Sequence, residues 1–407
     1  MINNLIVIPL EINGKKLSFI LDSGVNKTII FDLAQNDSIA LLNTEKIELR
    51  GLGTGEAVDA ILSTKNILKL KGIVSYNEAV YVILKDYFDL SSKMGVTIHG
   101  IIGYNLLRDF VVKINYKSKK LTFYSSKDYQ LKKCRKCEIL RLQMHRKKPY
   151  INVDVQLDTI GTKLTKVKML IDSGGSDALW LFEHSKPNIK TPILFFKDIL
   201  GEGLSGTIYG NRSRIPKLKV GNFTLLKPTI SFLDTVTSKN ARSFKARNGS
   251  IGGNILKRFK IWLDYRNQKI MLKKNGSFTK GFNYNMSGLE VVYNGKQLVK
   301  ERKYQAASNG YGTEGKGKND RISLITRYTF NFKSSYKVKT VLRGSPGHKA
   351  GVQPGDIILK INGTNTYDLK LTEIVGKFQQ RNNKKIKLLI DRNGAYEKVS
   401  FRLEKRI

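Results

Sequence analysis

Apolar and polar residues alternate through the first part of the chain with turn signals at short intervals, the period of half-buried strands. Leu5 to Ile12 reads as a strand and Asn13-Gly14 as a tight hairpin turn. Leu17 to Leu21 reads as the returning strand, whose apolar run stops at Asp22-Ser23-Gly24. Leu49 to Gly55 reads as a glycine-rich hairpin tip, and Ile67 to Ile73 and Ala79 to Leu84 read as strands. The run His99-Gly100-Ile101-Ile102-Gly103 is an apolar strand that turns through glycine into a short helix. Val111 to Asn115 with Lys120 to Tyr124 makes a closing hairpin.

The same order then comes round again. Tyr150 to Leu157 is a strand, and Val167 to Ile171 leads into Asp172-Ser173-Gly174, the two aspartates lying 172 − 22 = 150 positions apart. Leu200 to Gly206 matches the first glycine-rich tip at 201 − 51 = 150, and Ser250-Ile251-Gly252 matches Ile101-Ile102-Gly103 at 252 − 103 = 149. Lys260 to Tyr265 and Lys269 to Leu272 match the closing hairpin. Four landmarks in one order at nearly one offset point to a duplicated fold. The spacing predicts one lobe over 1–126, a basic linker over 127–148 and a second lobe over 149–273. A linker rich in Lys, Asn and Gly follows over 274–285, and a different module occupies 286–407. In that module Ala306 to Asp320 reads as a mobile loop, Thr372 to Gln380 as a helix, and Ile386 to Asp391 and Lys398 to Leu403 as strands.

Composition narrows this picture only a little. A length of 407 residues allows two to four domains, each with room for a core. No apolar run approaches the ~18 residues of a membrane span. The N-terminus lacks a basic start with a long apolar stretch, so the expectation is a cytoplasmic protein if Met1 is the true start. It is the cell envelope or periplasm if an N-terminal signal is missing. The 72 basic and 33 acidic residues give a net charge of +39, which favours nonspecific adhesion to anionic surfaces. No Lys/Arg block exceeds a few residues, so no specific nucleic-acid partner is expected. Cys134 and Cys137 have the C-x-x-C spacing of half a zinc site, a redox pair or a local disulfide, and no second pair accompanies them.

The chemistry lies in the two aspartates. Two carboxyls held about 3 Å apart share one proton, because both cannot ionise readily. The charged member can take a proton from a water between them while the protonated member polarises a substrate carbonyl. With these residues the chain resembles the aspartic proteases, both single-lobed retroviral-type and two-lobed pepsin-like, over roughly residues 1 to 273. The resemblance implies a mainly β, bilobal aspartic-protease β-barrel fold with Asp22 and Asp172 as the catalytic pair. It implies that Ser23 and Ser173 brace the two loops, that Gly24 and Gly174 complete the motifs, and that Gly103 and Gly252 lie in the strands crossing beneath. A substrate-covering flap would fall at Gly51 and Gly53, at Gly201 and Gly203, or at both. No metal and no cofactor is implied. Val25 departs from the small hydroxyl residue of the pepsin-like lobes, and neither tip carries their flap tyrosine, Tyr209 being nearest.

The C-terminal set Gly344-Ser345-Pro346, Lys349-Ala350-Gly351, Pro354-Gly355-Asp356-Ile357-Ile358 and Ile361-Asn362-Gly363 resembles a PDZ domain, an α+β module. Such domains bind a peptide C-terminus or strand by adding it to a sheet edge. The carboxylate loop would map to Ser287-Gly288-Leu289-Glu290, with an insertion around 294–336. The whole reads as an aspartic endopeptidase acting as a monomer on peptide or protein substrates, with a PDZ domain that binds peptide or regulates access. The alternatives are a catalytically weak protease-like PDZ scaffold and a protein of anionic surfaces or nucleic acid.

Overall fold

Closing a sheet on itself removes its edges, and the first strands do this in a computed structural model that describes residues 1–33, 38–49, 57–84, 88–130, 134–203, 206–307 and 323–407. Strand order runs Val7–Ile12, Lys15–Leu21, Gly100–Ile102, Thr28–Ile30, Ile73–Ile83, Val58–Leu70 and back to Val7–Ile12. Alternation fills the barrel, with Ile8, Leu10 and Ile12 buried from the first strand and Leu17, Phe19 and Leu21 from the second. Thr44–Leu49 adds an outer strand to Val58–Leu70.

The second lobe repeats the centre of this arrangement. Thr165–Ile171 lies between Lys148–Gln156, antiparallel, and Gly249–Ile251, parallel. The parallel pairing Met169↔Gly249 stands where the first lobe pairs Phe19↔Gly100. Leu179–Phe182, Thr229–Leu233, Gly206–Arg214 and Phe196–Gly203 extend one side. A third sheet joins the lobes: Phe110–Asn115 and Lys120–Ser125 of the first lobe pair on with Phe259–Asp264 and Lys269–Lys274 of the second. One apolar core crosses both lobes, from Phe19 and Val112 to Leu179 and Ile261.

The stretch 127–148 is not a bare connector as expected. Cys137–Arg141 forms the edge strand of the joining sheet on Lys269–Lys274, and Gln143–His145 turns back onto Lys148–Gln156. Its charges misled because an edge strand can point them at solvent and still make its ladder. Cys134 and Cys137 are joined as a disulfide.

Contacts divide the chain into two units, 1–286 with 404–407, and 287–403. The second unit is a sheet in the order Leu289–Ala307, Ser323–Val341, Ile357–Ile361, Lys385–Arg392, Ala395–Arg402, with the helix Leu371–Phe378. Ser345 caps the short helix Pro346–Lys349 by accepting from His348 N. Arg392 holds the buried Asp356 carboxylate from Nε and Nη2, each at 2.7 Å. The expected insertion around 294–336 is instead a lengthening of two strands, paired continuously in sequence order from Leu289↔Val341 to Ala307↔Ser323 apart from two bulges. The loop expected over Ala306 to Asp320 lies, from residue 308 on, outside the described residues.

Candidate active site

Each aspartate is delivered by an apolar strand and tied at once to its parallel neighbour. Asp22 N donates to Ile102 O at 2.8 Å, and Asp172 N donates to Ile251 O at 2.9 Å. Gly103 and Gly252 follow these acceptors directly. A Cβ on Gly103 would overlap the Asp22 carbonyl, and one on Gly252 the Asp177 carbonyl. Only glycine permits this approach of backbone to backbone.

The two loops grip each other through their serines. Ser23 N donates to Ser173 Oγ at 2.9 Å and Ser173 N to Ser23 Oγ at 3.0 Å. In turn Ser23 Oγ donates to Ile171 O at 2.7 Å and Ser173 Oγ to Leu21 O at 2.8 Å. Both serines are buried, so these four bonds act without competition from water. The grip brings the carboxyls together. A Cβ placed on Gly24 would lie 3.0 Å from Asp22 Oδ1 and 3.3 Å from Asp172 Oδ1, so one point neighbours both. On the other side a Cβ on Gly174 would overlap the Asp22 carboxyl. Gly24 N donates to Asp22 Oδ1 at 2.6 Å.

Burial, and next the Asp172 charge, push the Asp22 carboxyl up to about 7. Burial also raises Asp172, where Arg247 opposes it first, then the amide of Gly175 and the Lys148 ammonium. These two cations were not foreseen in the sequence. Strand register shows where they come from. Val7 pairs with Ile20 in the first lobe and Tyr150 with Leu170 in the second, so Lys148 occupies the place of buried Leu5. Ser18 N donates to His99 Nδ1 as Lys168 N donates to Asn248 Oδ1, so Arg247 occupies the place of buried Ile98. Arg247 stands at the repeat offset from Ile98, 247 − 98 = 149, whereas Lys148 meets Leu5 at 148 − 5 = 143 and only through strand register. Arg247 is held by Gly249 O at 3.1 Å and Ser250 Oγ at 2.7 Å and lies over the Phe182 ring.

Two tyrosines were also missed, although they sit 265 − 116 = 149 apart. Tyr265 Oη donates to Ser23 O at 3.2 Å, beneath the grip. Tyr116 Oη is buried with no hydrogen-bond partner among the described residues, and burial raises its phenol, with the Asp172 charge adding to the rise.

Of the flap candidates, Gly51 and Gly53 lie outside the described residues. Gly201 and Gly203 lie in the strand Phe196–Gly203 of the second-lobe hairpin, Gly201 just past a bulge. That hairpin is tied to the Asp172 loop by Arg212, which bonds Asp177 at 3.1 Å and Asp198 at 2.5 Å. Among the PDZ candidates, Ser287 and Leu289 are buried, Ser287 Oγ accepts from Leu289 N, and Ser287 O accepts from Gly347 N. Gly288 O accepts from Leu342 N, and the Glu290 carboxylate accepts from Thr340 Oγ1. Among the described residues no cluster of three or more His, Cys, Asp or Glu could hold a metal ion.

Comparison with known proteins agrees with this architecture. Residues 8–106 match the family model described as aspartyl protease, and residues 337–392 the one described as PDZ domain. The chain thus carries an aspartyl protease domain and a C-terminal PDZ domain in a mainly β fold. A probable CtpA-like serine protease of Staphylococcus aureus (strain COL) is 29% identical over 96 residues, 24% of this chain and 16% of that protein. The protein of the same name from Staphylococcus saprophyticus is 26% identical over 173 residues, 42% of this chain and 27% of that protein. The chain therefore spans well under half the length of either relative.

Proposed function

We propose that this protein is an aspartic endopeptidase whose two lobes, 1–126 and 149–273, supply one aspartate each. The observation that carries the reading is the reciprocal serine grip, which sets the Asp22 and Asp172 carboxyls side by side in a buried place. In the resting site Asp22 keeps the shared proton and Asp172, nearer in effect to Arg247, is the carboxylate. Asp172 takes a proton from a water between them, Asp22 donates its hydrogen to the peptide carbonyl oxygen, and the water oxygen bonds to the carbonyl carbon. Collapse of that tetrahedral species breaks the C–N bond as the amine nitrogen takes the proton now held by Asp172, while a hydroxyl of the diol returns its proton to Asp22 and becomes the carbonyl of the new acid. Two lobes in one chain complete the pair within a monomer. The PDZ domain, with Ser287 to Glu290 as its carboxylate loop, presents or selects the peptide.

The test is Asp172→Asn, which removes the base and keeps the shape. Cleavage of a peptide library should fall by at least about a thousandfold, and retained cleavage would end this mechanism. The names of the staphylococcal relatives favour a second reading, a serine-type peptidase. Ser23 and Ser173 are poor nucleophiles for it, since each hydroxyl is committed to a main-chain carbonyl. Inhibition by a fluorophosphonate but not by a pepstatin-type transition-state mimic would favour that second reading.

A further inference from the structure

The two long strands of the C-terminal unit run well past the rest of its sheet. Ile357–Ile361 touches Ser323–Val341 at the single register pair Lys337↔Ile357. From there outward the described residues form a ribbon of two strands with no third beside them. Its register places Leu298 opposite Phe332, Lys300 opposite Phe330, Arg302 opposite Tyr328 and Tyr304 opposite Thr326. Directly opposed residues share a face, and every second residue returns to it. One face therefore gathers Leu298, Tyr304, Tyr328, Phe330 and Phe332 over roughly 20 Å of ribbon. None of them is sheltered, with exposure from 50% for Tyr328 to 72% for Phe332. The opposite face is mainly polar, Glu301 accepting from Asn331 and pairing with Lys333, with Val299 beside them and Lys303 opposite Arg327.

Large exposed apolar faces on a soluble unit mark an interaction site, and its charge says with what. Lys300 and Arg302 stand among the rings, and the face carries no carboxylate. Lys300 Nζ lies 4.0 Å from the Tyr328 ring centroid, and the Arg302 guanidinium 4.8 Å from that of Tyr304. Rings whose faces are already covered by the protein's own cations are poor platforms for stacking bases, and Leu298 offers no π face at all. The same mixture suits the boundary of a lipid bilayer, where aromatic side chains sit at headgroup level and cations meet anionic headgroups. We infer that this face of the ribbon docks on an anionic lipid bilayer, with Phe330, Phe332 and Leu298 entering the headgroup boundary and Lys300 and Arg302 meeting lipid phosphates. This inference is independent of the peptidase reading.

The experiment is sedimentation of the full chain with phosphatidylcholine vesicles, with and without phosphatidylglycerol, at physiological ionic strength. Binding is expected only with phosphatidylglycerol, and Phe330→Ser with Phe332→Ser should weaken it by about tenfold or more without changing net charge. Lys300→Gln with Arg302→Gln should weaken it comparably, while Val299→Ser, one strand position away on the other face, should not. Equal binding by the wild type and both double variants would assign adhesion to the overall +39 charge and overturn the proposal. Failure to bind anionic vesicles would also overturn it. So would tighter binding to a single-stranded oligonucleotide that the Phe330 and Phe332 substitutions abolish.

Discussion

Asp22 and Asp172 reach one point from strands bonded alike, yet they do not stand in like surroundings. The first lobe offers Leu5 and Ile98 where the second offers Lys148 and Arg247. A cation favours an ionised carboxyl, so Lys148 lowers the pH at which both members of the pair lose protons. Lys148→Leu, which copies the first lobe, should move both limbs of the kcat/KM profile to higher pH, and an unmoved or lowered profile would contradict it. Asp22 has a second signature, in stability. Its folded-state value of about 7 lies above the ordinary ~4 of an unfolded chain. The folded protein therefore binds a proton that the unfolded chain releases, and that contribution is complete below about pH 4 and lost as pH rises through about 7. Asp22→Asn should be more stable than wild type near pH 8, on the order of a few kcal/mol, with the gap closing toward pH 4. Denaturant melts at the two pH values decide it; parallel curves would rule it out. The aspartates themselves were legible as a motif, because each ends an apolar run at Ser-Gly. Lys148 and Arg247 were not, since each is a cation where the first lobe has an apolar residue, and Lys148 meets its counterpart only when strand register aligns the lobes.

At the scale of elements, the serine grip is the joint on which both loops depend. Ser173→Ala removes one donor and one acceptor and leaves the Ser23 amide buried without its partner, a loss of about 2–4 kcal/mol in urea unfolding. Ser173→Thr keeps the hydroxyl and should recover most of it, whereas equal losses for both would show that packing, not hydrogen bonding, matters there. The strands that form the grip were readable from alternation: Leu5 to Ile12 and Leu17 to Leu21 fall on Val7–Ile12 and Lys15–Leu21. Cys137–Arg141 was not, because its partner Lys269–Lys274 supplies the ladder and its apolar residues Ile139 and Leu140 are adjacent rather than alternating, with Ile139 exposed. The ribbon strands failed to announce themselves for a related reason. Tyr328, Phe330 and Phe332 alternate with polar residues, but in Leu289–Ala307 the cations Lys300 and Arg302 fall on the same face as Leu298 and Tyr304 and break the apolar period.

For the whole molecule, the duplication and the C-terminal module were legible because both rest on spaced turn residues, which local backbone geometry demands. What spacing cannot reveal is which distant pieces of the chain are joined. In the sheet between the lobes, Val111 pairs with Asp264 and Asn115 with Lys260. A ribosome adding about 5–20 residues per second finishes Phe110–Asn115 on the order of ten seconds before its partner strand exists. During that interval the newborn first lobe has a closed barrel and an open flank, its apolar strand still lacking the neighbour that will cover it. Synthesis, more than the finished fold, is then the moment at which this chain is most exposed to pairing with another copy of itself, and slowing translation between the lobes would lengthen that exposure.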